Sequence, residues 1–268
     1  MADRALRPVV DAVARAADLA LEQWAVGRTQ VRHWEKEPGQ PVCDADIAVN
    51  HMLREELMRI APDAGWLSEE SVDSAARQDA ERLWIVDPID GTKDYIAGRS
   101  GWAVSVALVE RGEPVIGVLA APARNELWIA HAGEGARRNG RLLRAGDRRV
   151  LAGARVPAEA LPHEDADLRM VPRPNSIALR MAMVAADEAD LVATVRWGNE
   201  WDVAAAALIA REAGATVSDA LGQPLLFNRP DPVAFGILCC APGLHEAAVE
   251  RLSGRARRIL GMNDRDTL

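Results

Sequence analysis

The chain has 268 residues, a formal net charge of −8, 49% hydrophobic and 27% charged residues, a composition typical of globular rather than disordered or fibrous proteins. Its excess of acid argues against a nucleic-acid polymer as partner, because such binding depends on clustered Lys and Arg. No apolar stretch suggests a membrane span or signal peptide, and the three cysteines suggest no disulfide framework. We therefore expect a cytoplasmic protein that does not associate with membranes.

The first segment predicts two helices separated by a polar loop. Apolar residues recur at helical spacing from Pro8 to Val26, and Gly27 ends that helix. A strand-like start at Val31 leads into a loop with Pro and Gly, of the kind that often covers an active site. The second helix begins near Asp46, with Asp44 or Asp46 placed to cap it.

Residues 62–71 read as a turn and a short strand that ends in two adjacent acids, Glu69 and Glu70. Adjacent side chains of a strand point to opposite faces, so only one of the two can face a given site. Without further context, such a pair is most typical of a solvated surface.

The stretch from Leu83 to Thr92 carries the strongest chemical signal. An apolar strand is predicted over 83–86, with a turn at Asp87-Pro88 and a helix start at Gly91-Thr92, whose free N–H groups suit a phosphate. Two carboxylates, Asp87 and Asp90, lie beside that helix start, and hard oxygen ligands favour Mg²⁺, Mn²⁺ or Ca²⁺ over zinc. Asp-Pro and Asp-Gly are also ordinary turn dipeptides, so a structural turn is the alternative.

The rest of the first half predicts an antiparallel sheet. Two apolar strands over 102–109 and 115–120 form a hairpin, and a third lies at 127–130. A polar hairpin over 132–147 and loops over 152–170 are predicted to follow. We place a lobe boundary there, which gives an N-terminal α+β lobe over 1–150 and a C-terminal α/β lobe over 151–268.

The second half alternates helices and short strands. Helices are predicted over 179–186, 203–213 and 245–252, strands over 191–195, 216–218 and 235–239, and a frayed helix over 254–268. Gly214 closes the alanine-rich second helix. Asp202 stands at the N-terminus of that helix, where an acid is usually only a cap.

Three motifs in this order resemble those of the inositol monophosphatase superfamily, the lithium-sensitive, metal-dependent phosphomonoesterases. Asp87-Pro-Ile-Asp-Gly-Thr92 is similar to the core motif, Glu69-Glu70 to the first metal motif, and Trp201-Asp-Val-Ala-Ala-Ala206 to the third. The resemblance implies an α/β fold that is a layered αβαβα sandwich of the inositol monophosphatase and fructose-1,6-bisphosphatase type. It also implies a site between two lobes, with the metal motifs divided between them.

The resemblance further implies which residues hold Mg²⁺. One ion would be bound by Glu69, Asp87 and the backbone carbonyl of Ile89, and a second by Asp87, Asp90 and Asp202. A weaker third ion near Glu69 is compatible with the pattern. Mn²⁺ is expected to substitute for Mg²⁺, and Ca²⁺ and Li⁺ are expected to inhibit.

The implied mechanism is direct attack of water on phosphorus. Thr92, hydrogen-bonded to Asp46, would orient and deprotonate the water. Glu69 is also implied to be a catalytic residue. Gly91, Thr92, Lys93 and Asp202 would contact the substrate and its phosphate. The five histidines fall in no Ser-His-Asp arrangement, so we expect no covalent phosphoenzyme.

The expected substrate is a small phosphorylated metabolite. Thr92-Lys-Asp-Tyr-Ile96 and Asn199-Glu-Trp-Asp202 are most similar to 3'(2'),5'-bisphosphate nucleotidases of the CysQ type, which implies hydrolysis of 3'(2')-phosphoadenosine 5'-phosphate to AMP. Inositol 1-phosphate, histidinol phosphate and sugar phosphates stay open. The chain departs from the family where Cys43-Asp44 stands in place of the usual Thr.

Three further alternatives stay open at the level of sequence. The chain could be a metal-binding regulatory protein that kept the fold without turnover. It could be a hydrolase in which Asp87 itself attacks phosphorus. A homodimer is compatible with the apolar helical faces and the eight tryptophans, although packing within one chain explains them equally well.

Overall fold

The computed structural model describes residues 2–27, 29 and 31–262. The helices in this part of the chain are α1 (Ala2–Gln23), α2 (Asp44–Ile60), α3 (Thr92–Ile96), α4 (Ile177–Ala185), α5 (Ala204–Glu212) and α6 (His245–Leu260). The strands of the first half are β1 (His33–Glu37), β2 (Gln40–Cys43), β3 (Gly65–Ser68), β4 (Arg82–Asp90), β5 (Ala103–Glu110), β6 (Glu113–Ala121), β7 (Glu126–His131), β8 (Ala136–Arg138) and β9 (Arg141–Leu142). Those of the second half are β10 (Arg155–Pro157), β11 (Arg169–Val171), β12 (Leu191–Ala193), β13 (Trp197–Asn199), β14 (Thr216–Ser218), β15 (Val233–Phe235) and β16 (Leu238–Cys240).

Five layers follow one another across the molecule. Helices α1 and α2 pack on one face of a seven-stranded sheet of order β3-β4-β5-β6-β7-β8-β9, and α4 and α5 pack on its other face. A three-stranded antiparallel sheet, β12-β16-β14, covers the far side of α4 and α5, and α6 covers that sheet in turn. This arrangement confirms the predicted layered αβαβα sandwich.

Burial on both faces explains the composition of the central strands. The seven residues from Ala103 to Val109 in β5 are all buried, as expected when helices cover both sides of a sheet. Helix α5 packs closely on strand β6 at Gly117. A Cβ on Gly117 would lie only 2.7 Å from the Ala205 carbonyl oxygen, so the close approach depends on the absence of a side chain there. The close contact fixes α5, and the residues just before it, relative to the sheet.

Strand β4 is longer than the sequence pattern indicates. The predicted turn at Asp87-Pro88 is wrong, because the strand continues to Asp90 and its pairing with β5 is irregular between Asp87 and Asp90. Pro88 has no N–H to donate, and it is accommodated where the regular ladder is interrupted. The irregularity keeps two acids on one strand while the chain changes direction.

Two further boundaries differ in the first half. The segment predicted as a loop after Val31 is a β-hairpin, β1 and β2, closed by a turn that contains Gly39. Helix α2 has Cys43 as its N-cap, so neither predicted acid occupies that position. Asp46 instead accepts a 2.8 Å hydrogen bond from the Cys43 backbone N–H from within the first turn.

Two differences also occur in the second half. The segment over 152–170 contains the short parallel strands β10 and β11, which lack the length for a periodic signal. Helix α6 runs to Leu260 without a break after Leu252, while the prediction for 263–268 lies outside the described residues.

Among the described residues, no helix has both the length and the apolarity to cross a membrane. The lobe boundary at residue 150 stays a prediction.

Candidate active site

The ends of β3 and β4 bring the first two motifs together. The two strands are parallel, with Ser68 opposite Val86, so Glu69 and Asp87 follow side by side at the same end of the sheet. The Glu69 N–H also donates to the Val86 carbonyl oxygen at 3.3 Å. Parallel pairing therefore places these acids together although 18 positions separate them in sequence.

Gly91 turns the chain from β4 into α3. Its φ of 99° lies in the left-handed region, which favours glycine. A Cβ there would also lie 2.8 Å from the Gly101 carbonyl oxygen and 3.0 Å from the Ser176 nitrogen. Only glycine fits, and the turn delivers Thr92 to the start of α3.

Thr92, Asp46 and Cys43 form a buried hydrogen-bonded chain. Thr92 Oγ1 can donate its single hydrogen either to Asp46 Oδ1 at 3.3 Å or to the Ile89 carbonyl oxygen at 3.0 Å. The Cys43 thiol lies 2.8 Å from Asp46 Oδ2 and donates to it. Burial raises the pKa of Asp46 to about 7, although the hydrogen bonds from Cys43 act in the opposite direction.

The N-terminus of α4 holds Asp90. Ser176 Oγ donates to Asp90 Oδ2 at 2.5 Å, the Ala178 N–H donates to the same oxygen at 2.8 Å, and the Ile177 N–H donates to Oδ1 at 3.3 Å. Burial raises the pKa of Asp90, and these hydrogen bonds oppose the rise. The sequence analysis did not identify Ser176 as a site residue, although its place before a helix could have marked it as an N-cap.

Asp202 approaches from the segment that precedes α5. Its Oδ2 accepts a 3.0 Å hydrogen bond from the Asn199 N–H at the end of β13. Burial and the negative charges of Asp90 and Glu69 raise the pKa of Asp202 to about 8. The third motif thus reaches the same acidic centre as the first two.

Mutual repulsion marks the four acids as one electrostatic cluster. Burial raises the pKa of Asp87 well above its usual range, and the charges of Glu69, Asp90 and Asp202 raise it further. Lys36 of β1 partly compensates, because its Nζ lies 3.2 Å from Glu69 Oε1 and 2.6 Å from Glu70 Oε1. The site therefore attracts positive charge.

The donor chemistry of this centre fits a hard divalent cation. Four carboxylates and the Ile89 carbonyl are all oxygen donors, which suit Mg²⁺ or Mn²⁺ better than softer metals. No group of three or more His, Cys, Asp or Glu residues in the described ranges already has the arrangement of a formed metal centre.

A pocket of about 790 Å³ surrounds the centre and is lined by every predicted site residue except Asp46, which lies behind Thr92. Hairpin β1–β2 forms one rim through Lys36 and Gln40. The lining residues that the sequence analysis missed include Arg173, Arg180, Arg196 and Trp197. No local motif marks them, because only the tertiary fold brings them to the acids.

Comparison with known proteins agrees with this geometry. The model of the inositol monophosphatase family matches residues 2–256. An inositol-1-monophosphatase of Rhizobium meliloti is 37% identical over 207 residues, which are 70% of this chain and 75% of the relative. The 3'(2'),5'-bisphosphate nucleotidase CysQ of Shigella flexneri is 33% identical over 226 residues, 80% of this chain and 90% of the relative.

Solved structures give the same fold. The IMPase of Thermotoga maritima superposes with a TM-score of 0.79 at 27% identity, covering 93% of this chain and 97% of that one. The fold and the acidic pocket are those of a phosphatase family that acts on small phosphorylated substrates. This chain belongs to the inositol monophosphatase family, whose enzymes are generally metal-dependent.

Proposed function

We propose that the chain is a Mg²⁺-dependent phosphomonoesterase whose preferred substrate is 3'(2')-phosphoadenosine 5'-phosphate. One observation carries the proposal: a single pocket holds an acidic centre and, near it, the guanidinium groups of Arg173, Arg180 and Arg196. The acids suit the cations that accompany the phosphate to be cleaved. The arginines suit a second anionic group on the same substrate.

Glu69, Asp87, Asp90, Asp202 and the Ile89 carbonyl would hold the metal ions. Mg²⁺, when bound, neutralises phosphate charge and makes water more acidic. The residues of the chain supply the rest of the proposed mechanism.

Thr92 and Asp46 are proposed to move the proton of the attacking water. Thr92 Oγ1 can direct its hydrogen to Asp46 Oδ1, 3.3 Å away, and use its lone pair to orient and deprotonate the water. As Thr92 Oγ1 takes up the water proton, its own hydrogen passes to Asp46. Gly91 and Lys93 line the pocket beside Thr92 and are proposed to contact the phosphate oxygens.

The arginines distinguish a bisphosphate from a monophosphate. Burial lowers the pKa of Arg180 to about 10, and the charges of Arg173 and Arg196 act in the same direction while those of Asp90 and Glu159 oppose it, so the three guanidinium groups are close enough to repel one another. No carboxylate of the described residues forms an ion pair with Arg180 or Arg196, and Arg173 pairs with the exposed Glu159. A second phosphate would relieve this repulsion, whereas an uncharged inositol ring would not.

The test measures phosphate release with Mg²⁺ from 3'-phosphoadenosine 5'-phosphate and from inositol 1-phosphate, each with and without Li⁺. We expect a higher kcat/KM for the nucleotide and inhibition by Li⁺. Arg196→Gln should lower kcat/KM for the nucleotide about 10- to 100-fold, the loss of one charge-assisted hydrogen bond, with a much smaller effect on inositol 1-phosphate. Arg124→Gln, which removes an arginine paired with Glu126 outside the pocket, is the control.

Other outcomes identify the alternatives. A preference for inositol 1-phosphate would retain the mechanism and favour the second candidate substrate, which the Rhizobium meliloti relative supports. Phosphate covalently trapped on Asp87 would favour a nucleophilic carboxylate. Failure to hydrolyse either ester, histidinol phosphate or sugar phosphates would favour a metal-binding regulatory protein.

A further inference from the structure

A second cavity of about 450 Å³ lies beside the catalytic pocket, and Arg173 and Arg180 line both. It is enclosed by β12 and the residues after it, by one face of α6, and by the connection between β10 and β11. Most of its lining is aliphatic. Its volume lies within the range of about 300–1,000 Å³ that is typical of small-molecule sites.

The connection between β10 and β11 explains why the space is open. These strands are parallel, and parallel neighbours are usually joined by a crossover helix of about a dozen residues or more. Here residues 158–168 make the connection with a single 3₁₀ turn, His163–Asp165. Leu191, Ala193 and Val195 face this side of β12, and the short connection leaves a gap between them and α6.

Arg180 places a buried guanidinium group at the wall shared by the two cavities; no carboxylate of the described residues lies within ion-pair distance of it, and Asp90 acts on its charge only from farther away. Arg180 is only 6% exposed, and its Nε donates to the carbonyl oxygens of Pro174 and Ser176 at 3.0 and 3.3 Å. Its Nη2 donates to the Asn175 carbonyl oxygen, while Nη1 has no hydrogen-bond partner among the described residues. A buried charge without a counter-ion is costly.

The two arginines that α6 contributes to the cavity lining, Arg251 and Arg255, differ from Arg180 in this respect. Arg255 pairs with Asp165 at 2.7 Å, and Arg251 pairs with Asp167 at 2.8 Å. These carboxylates neutralise the α6 side of the cavity. At the other end Arg173 pairs only with the highly exposed Glu159, so the positive charge without a buried ion-pair partner lies where the cavity adjoins the catalytic pocket.

We propose that this cavity binds an anion with an apolar or aromatic body, the anionic group lying on Arg180 and Arg173 and the body against β12 and α6. Two sources share this chemistry. One is a nucleotide whose base enters the cavity, which rests on the proposed function, and the other is a separate amphipathic effector.

Occupancy of the cavity would be transmitted to the catalytic centre. Arg180 holds the carbonyl groups of Pro174, Asn175 and Ser176, and Ser176 Oγ holds Asp90. An anion bound to Arg180 would contact the side chain that holds these carbonyl groups, and these residues lead to Asp90. The site is thus placed to alter substrate binding from outside the acidic centre.

The first experiment uses two fluorescent probes that differ by one sulfonate. 1-Anilinonaphthalene-8-sulfonate should bind about tenfold or more tightly than the neutral N-phenyl-1-naphthylamine, a difference of about 1.4 kcal/mol. Ala193→Leu fills the cavity from β12 and should weaken binding of the sulfonate probe about tenfold. Ala166→Leu adds the same side chain at an exposed residue outside the cavity lining and should leave binding unchanged.

The fold of each cavity variant is checked before its probe affinity is compared. Circular dichroism verifies that Ala193→Leu is folded, and Ala158→Leu, from the connection that also lines the cavity, replaces it if it is not. Equal affinity of the two probes, or binding of the sulfonate probe that neither cavity variant weakens, would overturn the proposal.

Displacement by AMP distinguishes the two sources. If AMP displaces the probe and Ala193→Leu raises KM for the nucleotide, the body in the cavity is the nucleotide base. If AMP does not displace it and KM is unchanged, the cavity belongs to a separate effector. Both results require that the cavity binds the probe. Absence of activity on nucleotides would refute the proposed substrate, but it would not alter the expected result of the probe experiment.

Discussion

Ser176 Oγ donates a 2.5 Å hydrogen bond to Asp90 Oδ2, joining the start of α4 to the end of β4 across 86 positions of sequence. The same oxygen of Ser176 accepts a 2.9 Å hydrogen bond from the Leu179 N–H. One buried hydroxyl therefore caps a helix and orients an acid of the candidate metal centre.

Ser176→Ala tests this double role. Removing a group that orients a metal ligand typically costs about 10- to 100-fold in affinity, so the Mg²⁺ concentration for half-maximal activity should rise by about tenfold or more. Loss of the cap should also lower the free energy of unfolding by about 1 kcal/mol. Ser176→Thr retains the hydroxyl and should restore the Mg²⁺ response, whereas an unchanged response in Ser176→Ala would contradict the positioning role.

Gly91→Ala should be more damaging than an equivalent substitution in an open turn. Gly133 has a similar φ of 81° but no atom within 4 Å of a Cβ, whereas Gly91 would meet the Gly101 carbonyl oxygen at 2.8 Å. We expect Gly133→Ala to cost about 1–2 kcal/mol from backbone strain alone, and Gly91→Ala to cost about 2–5 kcal/mol because crowding is added. Urea unfolding of both variants measures the difference, and equal losses would show that crowding at Gly91 is relieved.

The layered fold was predicted from the resemblance of three motifs to a known family, whereas local pattern predicted individual helices and strands. Helix α2 and the strands β5 and β6 are long enough to be recognised from their own residues, and all are present. Short elements were missed for the opposite reason. Strands β10 and β11 have three residues each, too few for any periodicity to distinguish them from a loop.

The acids of the site were accessible from sequence because they belong to contiguous motifs. The arginines were not, because Arg173, Arg180 and Arg196 come from three separate segments that meet only in the folded chain. The continuation of β4 past Pro88 was likewise hidden. Proline usually ends a central strand, and only the irregular pairing with β5 reveals why this one does not.

Lys36→Gln should make the site more sensitive to Mg²⁺. The Lys36 ammonium lies 3.2 Å from Glu69 Oε1 and competes with a metal ion for that oxygen. Removing a partly exposed pair of this kind should lower the Mg²⁺ concentration for half-maximal activity about two- to fivefold. Arg124→Gln makes the same charge change outside the pocket, where Arg124 is paired with Glu126, and is the control. A higher Mg²⁺ requirement in Lys36→Gln would indicate that the lysine assists binding.

The partly buried ion pair between Arg155 and the buried Asp190 should make stability depend on pH. Burial alone would raise the pKa of Asp190, but hydrogen bonds from the Arg155 side chain and backbone lower it below its usual value. The contribution is therefore complete above the unfolded-state pKa of about 3.9 and is lost as pH falls through the lower folded-state pKa. We expect Asp190→Asn to lose about 1–3 kcal/mol near neutral pH, with a difference from the parent that narrows below about pH 4. Urea unfolding from pH 7 to pH 3 measures this, and a difference independent of pH would refute it.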